Sequence, residues 1–132
     1  MNIFVLDRSP GIAARMQCDR HVVKMTLESA QMLATAVNEL GGQTPYKSAH
    51  LNHPCSVWAR ETLGNFIWLY DHGMALAKEY TRRYGKVHKS EAVIQECMDQ
   101  CRDLSLYNLK RTPHPLCMPD EYKTDDAVES YR

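Results

Sequence analysis

The sequence predicts a mainly α, compact single-domain helical fold with a short extended N-terminal segment. Three observations lead there. Two long stretches, Asp19 to Leu40 and Asn65 to Tyr84, run without an internal proline. Cap-and-proline signals stand at Ser9-Pro10 and at Asn52-His53-Pro54. Only Ile3-Phe4-Val5-Leu6 reads as a buried extended run, and no second strand-like run exists for it to pair with.

Taken in order, Ser9 caps a helix with Pro10 as its first residue, and helix-compatible sequence continues to a stop at Gly41-Gly42. A boundary near Cys18-Asp19 divides that stretch into a short helix and a long one. His53-Pro54 opens the next stretch, which runs to Gly85 with a break expected at Gly64-Asn65. Ser90 starts a third, to about Asp103. Thr112-Pro113-His114-Pro115 and Met118-Pro119-Asp120 then impose an irregular crossing, since each proline lacks a donor and restricts the residue before it. A last helix begins from Asp125.

Length and charge narrow the function. At 132 residues the chain is expected to form a single helical domain over 1–132. Sixteen basic and 16 acidic side chains balance, so a DNA or nucleotide partner has to be met by local patches rather than by a bulk cationic field. No apolar stretch approaches the roughly 18 residues of a membrane span, so no membrane contact is expected. The odd count of five cysteines, and a start from Met1 to Asp7 without the features of a secretory signal, lead us to expect free thiols in a reducing cytoplasm.

Two polar stripes carry the chemistry. From Asp19 to Leu40, His21, Lys24, Glu28, Gln31 and Thr35 fall in one arc, while Val22, Val23, Met25, Leu27, Ala30, Leu33, Ala34 and Val37 take most of the remainder as core. That arc reads either as a site or as a solvated face with a Lys24–Glu28 pair. From Asn65 to Tyr84, Asn65, His72, Glu79 and Arg83 share a face with Trp68, Leu69 and Leu76. Asp71, Lys78 and Arg82 mark the solvent side, so the mixed stripe is expected to point inward as a site or as a structural polar network. Two helices so patterned are expected to pack with His21, Lys24 and Glu28 facing His72, Glu79 and Arg83 across one polar cleft.

The segment between them, His50 to Arg60, should border that cleft. Lys47, His50, Asn52, His53 and Arg60 gather at a helix start, where free N–H groups favour anions, and Arg83, Lys86 and His88 form a second basic group. Capped turns with scattered surface charge are the plainer reading. Cys18-x-x-His21 and His50-x-x-His53 are each spaced like half of a zinc site, but Cys18 also reads as core and His53 as a helix cap. We therefore expect no cofactor, with zinc as the alternative. Cys97 and Cys101, one helical turn apart, read as core.

Cys18-Asp19-Arg20-His21-Val22-Val23-Lys24-Met25, Asn52-His53-Pro54-Cys55 with Trp58 and Arg60, Arg83-Tyr84-Gly85-Lys86-Val87-His88, and Met118-Pro119-Asp120-Glu121-Tyr122-Lys123 together resemble a group of small uncharacterised bacteriophage proteins. More faintly, the order of an apolar N-terminal segment, a long helix, Tyr-Lys plus His-Pro, and a helix closing on a basic glycine turn resembles the pyrimidine-dimer DNA glycosylases of phages and bacteria. That resemblance implies an N-terminal amine attacking the sugar carbon, a helix-borne glutamate, and arginines on DNA phosphate. The positions nearest its helix-borne group are Arg20, His21 and Lys24, with Glu28 one turn further. Asn2 stands where methionine removal would expose a small nucleophilic residue.

The leading reading is a phage-type enzyme acting on a nucleotide or on a base in DNA by excision or modification. Glu28 or Asp19 is its base, His21 its proton carrier, and Lys24 and Arg83 stabilise anions. Substrate contacts are assigned to Arg20, Tyr46, Lys47, His50, Asn52, His53, Trp58, Arg60, His72, Glu79, Arg83, Lys86, His88, Tyr122 and Lys123. Tyr46, Trp58, Trp68 or Tyr122 would stack on an extruded base. The alternatives are a non-catalytic protein that binds a nucleotide or a host factor, and a zinc-dependent hydrolase.

Overall fold

The computed structural model describes residues 1–132 and contains helices and no strand. In chain order the helices are α1 (Pro10–Arg15), α2 (Asp19–Glu39), α3 (Pro54–Ala59), α4 (Leu63–Tyr84), α5 (Ser90–Cys101) and α6 (Ala127–Tyr131), with a 3-10 turn at Asp120–Tyr122 before the last. None is long and apolar enough to cross a membrane.

The cap signals act as the sequence predicts. Ser9 Oγ accepts the Ile12 N–H at 3.3 Å ahead of Pro10. The chain breaks at Cys18 and restarts as α2. His53 Nδ1 accepts the Cys55 N–H at 3.1 Å, which makes this imidazole the cap of α3. α4 ends on Gly85 at φ 69°, a left-handed position that glycine takes without strain.

One boundary differs. The break before α4 falls at Arg60–Thr62, not at Gly64-Asn65, because Thr62 accepts the Asn65 N–H at 3.0 Å and draws both residues into the first turn. Gly64 is there for proximity: a Cβ would run into the Leu109 carbonyl, and the Gly64 N–H donates to Asn108 at 3.1 Å. Asn65 pins the proline-rich crossing. Its amide donates to Trp58 O at 2.9 Å and Thr112 Oγ1 at 2.8 Å, and its oxygen accepts the Thr112 N–H at 2.9 Å.

The main core joins Met32, Leu33 and Val37 of α2 to Phe66 and Leu69 of α4 and Ile94 and Cys97 of α5. A smaller cluster of Ala14, Val22, Met25 and Leu76 sits where α1, α2 and α4 meet. Full burial of each large apolar side chain stabilises the fold by about 1.5–3 kcal/mol before entropy is counted. Gly73 lets α4 approach closely, since a Cβ there would lie 3.2 Å from both Ser29 Cβ and Ile94 Cδ1. Cys97 and Cys101 are core, as expected. Val23 and Leu27 are not: both are more than a third exposed, because α2 has its neighbours on the other sides.

The N-terminal segment is extended without being a strand. Ile3 and Val5 insert into the core while Phe4 turns outward onto the ring of His21, with centroids 4.4 Å apart and planes 8° apart. Side chains replace a sheet partner here: Trp68 Nε1 donates to Arg8 O at 3.1 Å, and Arg132 Nε donates to Leu6 O at 2.8 Å.

Candidate active site at the N-terminus

Because Ile3 and Val5 both point inward, the first residues are drawn across the polar stripe of α2. Met1's α-amine arrives 3.0 Å from Glu28 Oε1, and both groups are buried. The solvated Lys24–Glu28 pair therefore does not form; Lys24 is exposed and Glu28 turns to the chain terminus. Glu28 Oε2 is buried with no hydrogen-bond partner. It is one of four such buried side-chain atoms, with Gln17 Oε1, Arg60 Nη1 and His114 Nδ1, and the one that belongs to a carboxylate.

Further along the stripe, Thr35 Oγ1 donates to Gln31 O at 2.8 Å and accepts the Ala49 N–H at 3.0 Å, and Asn38 Nδ2 donates to Tyr46 O at 3.0 Å. The loop 44–53 is thus laid along the same face of α2 as the N-terminus. Leu27, Gln31, Pro45, Tyr46 and Lys47 line a cavity of about 400 Å³ there, one helical turn from Glu28.

Asn2 fastens the terminus in place. Its Oδ1 accepts the Ile3 N–H at 2.8 Å and the Tyr131 O–H at 2.9 Å, and its Nδ2 donates to Cys117 O at 3.3 Å. Beside it His53, Cys55 and Cys117 bring one donor atom each within 4.8 Å of one another. Burial, the Met1 amine and His50 hold the His53 imidazole below its ordinary range, against an opposing pull from Glu28. Burial and the neighbouring Cys117 push the Cys55 thiol far up. His50 is exposed, with φ 50°, and its carbonyl accepts the His53 N–H at 2.9 Å.

The stripe of α4 goes elsewhere, and the single polar cleft is not formed. His72 Nδ1 donates to Pro10 O at 3.0 Å, and its Nε2 takes the Gln17 amide at 3.1 Å. Burial holds this imidazole down to about 4, so the ring is neutral with one donor and one acceptor, both used. Hydrogen bonds from Arg82 lead in holding Glu79 down to about 2, against its burial, with Arg83 adding to them. Arg83 also donates to Gln17 O at 3.0 Å, Asp19 Oδ1 at 2.9 Å and Arg15 O at 3.2 Å, which ties α4 to the α1–α2 turn. None of these groups reaches His21, Lys24 or Glu28. The physical reason is that Val22, Met25, Ser29, Gly73 and Leu76 occupy the α2–α4 contact, leaving the polar arcs on different sides of it.

Other predicted site residues are scattered. Trp58 and Trp68 are core, T-stacked at 6.2 Å, with Nε1–H groups spent on Thr112 O and Arg8 O, so neither presents a face to an extruded base. His114 stacks on Trp58 at 4.3 Å, and burial with Arg111 and His72 nearby holds it down to about 3. Tyr46 is half-buried, its hydroxyl 2.9 Å from Ser90 Oγ. Arg60 donates to Leu51 O at 2.8 Å, and His88 donates to Val23 O at 3.0 Å. Arg20, Lys47, Asn52, Lys86 and Tyr122 are exposed, and Lys123 pairs with Asp120 at 2.9 Å. Asp19 is an exposed partner of Arg83. The two half-motifs considered for zinc do not assemble: Cys18 is exposed and reads as neither core nor ligand, and only His53 belongs to the close donor group.

The sequence reading named Glu28 but missed what it touches. The resemblance implies an N-terminal amine, with Asn2 at the position that methionine removal would expose, whereas the structure has the Met1 amine on Glu28. The inward alternation of Ile3 and Val5 is the sign in the sequence that the terminus is carried over α2, while nothing in it pairs Cys55 with Cys117.

Residues 1–92 match a family model described as pyrimidine dimer DNA glycosylase. No curated protein matches, and no solved structure does. The matched residues contain Met1, Glu28, His53 and Cys55; Cys117 lies beyond them.

Proposed function

The chain belongs to the pyrimidine dimer DNA glycosylase family, and from that premise we propose that it excises a pyrimidine base from DNA by attack of the Met1 α-amine on C1′ of the target sugar. The observation that carries the reading is the 3.0 Å approach of that amine to Glu28 Oε1 in a buried setting. An ammonium has no lone pair, so a proton leaves first, and Glu28 is the acceptor within hydrogen-bond reach. The nitrogen then bonds to C1′ while the C1′–N glycosidic bond breaks, its electron pair departing with the base. A second N–H proton is lost, the C1′–O4′ bond opens with O4′ taking up a proton, and a protonated imine is left between Met1 and C1′. The unpartnered Glu28 Oε2 leaves the carboxylate an open oxygen on which to take up the proton that leaves the ammonium.

A base inside a duplex has to be turned out of the stack to be reached. The cavity of about 400 Å³ beside Gln31 and Tyr46 has the size and the aromatic wall for it. Lys47, His50 and Asn52 on its loop, with Arg20 and Lys24 on α2, are the exposed groups assigned to phosphate. Since the chain carries no net charge, this grip is local and weakens steeply with salt.

Borohydride reduction during incubation with a duplex bearing a pyrimidine dimer tests the reading. The expected product is a covalent protein–DNA adduct that peptide mass spectrometry maps to the amine of residue 1. A stable adduct on a lysine, or no adduct with dimer-containing and abasic duplexes alike, would overturn it. One residue added ahead of Met1 should abolish trapping.

A further inference from the structure

We infer that His53, Cys55 and Cys117 form a binding site for a thiophilic divalent cation of the zinc type, with three protein ligands. One donor atom from each lies within 4.8 Å of the other two. The sulfur atoms of Cys55 and Cys117 are 3.7 Å apart. That separation is far from the roughly 2.05 Å of a disulfide. It is close to the ~3.8 Å spanned by two thiolates each ~2.3 Å from a tetrahedral zinc ion.

The ligands are also preset by what surrounds them. Cys117 is gripped from both sides of its peptide: its N–H donates to Tyr131 Oη at 3.2 Å and its carbonyl accepts from Asn2 Nδ2 at 3.3 Å. Cys55 sits in the first turn of α3, fixed by Pro54 and the core. Such outer partners hold ligating atoms at their mutual distance before the ion arrives. Glu28 lies outside the close donor group, so the fourth tetrahedral position falls to solvent or to a bound ligand.

Binding has a defined cost. A neutral imidazole has one lone pair, and that of His53 now accepts the Cys55 N–H, so coordination through Nδ1 exchanges this cap bond for a metal bond. The two thiols release their protons to solvent, which makes affinity rise with pH. Burial raises both the Cys55 thiol and the cost of an unpaired thiolate there, and a dication beside the sulfur reverses that preference. The third ligand comes from the proline-rich crossing, outside residues 1–92, so the ion would clamp the C-terminal segment onto the N-terminal site.

The test is cobalt titration of the reduced, chelator-treated full chain without DNA, a readout independent of base excision. We expect a thiolate-to-cobalt charge-transfer band saturating at one ion per chain and discharged by zinc. Cys117→Ser should lose the band, and Cys18→Ser, at an exposed thiol outside the cluster, should keep it. Circular dichroism checks folding of each variant. Should Cys117→Ser fail to fold, His53→Asn decides, since asparagine keeps a cap acceptor and removes the imidazole; its expected effect is at least a tenfold weaker affinity. No thiolate band in the reduced protein, a band retained by a folded Cys117→Ser or at full affinity by His53→Asn, or a Cys55–Cys117 disulfide in protein alkylated at lysis would overturn the inference.

Discussion

The polar faces of α2 and α4 look alike in sequence and differ in how far their groups are satisfied. On α4, both nitrogens of His72 and both oxygens of Glu79 are taken, and Arg83 spreads its donors over Glu79, Asp19 and two carbonyls. On α2, Glu28 has one oxygen on the Met1 amine and the other on nothing. The α4 network pairs His72, Glu79 and Arg83 and leaves the Gln17 amide oxygen without a partner, whereas on α2 the oxygen left open belongs to a carboxylate beside a nucleophile. The α4 face is accordingly read as the brace between α1, α2 and α4, and the α2 face as the reactive one.

The sharpest way to break that comparison is Glu28→Gln. The amide keeps the shape and removes the proton acceptor, so excision and borohydride trapping should fall by about 10²–10⁴-fold, and because the buried Met1 amine loses its counter-charge the melting temperature should fall as well. Equal activity with a large drop in melting temperature would make the α2 face the structural one.

The α4 face should answer to pH. His72 is held down to about 4 against an ordinary value near 6.5, so the unfolded chain binds the proton that the folded chain refuses. Stability is complete above that ordinary value and declines as pH falls from about 6.5 toward 4, by up to about 3 kcal/mol from this group. Thermal melts at stepped pH should follow that decline, and His72→Asn should reduce it, leaving the part that comes from His114, which burial also holds down, to about 3. A pH-independent melting temperature in the wild-type chain over that window would contradict the burial argument.

Glu79→Ala should cost about 2 kcal/mol in denaturant melts. The loss stays below the ~3–5 kcal/mol of a fully enclosed pair because Arg82 is at the surface. Excision measured below the new melting temperature should be nearly unchanged. If activity collapses while stability holds, the division between a brace and a reactive face fails.

The smallest effect is expected at Lys47. Lys47→Ala should weaken DNA binding severalfold and reduce the slope of log affinity against log salt by about one, leaving the trapped adduct intact at saturating DNA. An unchanged slope would remove this loop from the DNA-binding surface.

What could be read without the fold was what short-range physics decides. Ser9-Pro10 and His53-Pro54 cap their helices in the manner their chemistry requires, Gly85 closes α4, and Asn65 to Tyr84 turns its mixed face inward with Asp71, Lys78 and Arg82 outside. Those signals act within one or two helical turns, so the chain states them locally. Glu28 was legible as an unusual carboxylate for the same reason: it interrupts an apolar circumference. Its partner was not, because a periodicity argument gives the direction a face points along its own helix and is silent on what the rest of the chain lays over it.

Tertiary structure made that decision. The apolar contact of Val22 and Met25 with Leu76, and the close approach of Ser29 to Gly73, rotated the two polar arcs apart, and the inward Ile3 and Val5 carried Met1 to Glu28. Asn65, through Thr112, tethers the proline-rich crossing that carries Cys117 to within reach of Cys55, across 62 residues of chain. Contacts of such separation depend on the sum of many packing choices, which is why the sequence alone determined the helices and their faces, and only the folded chain determined which faces meet.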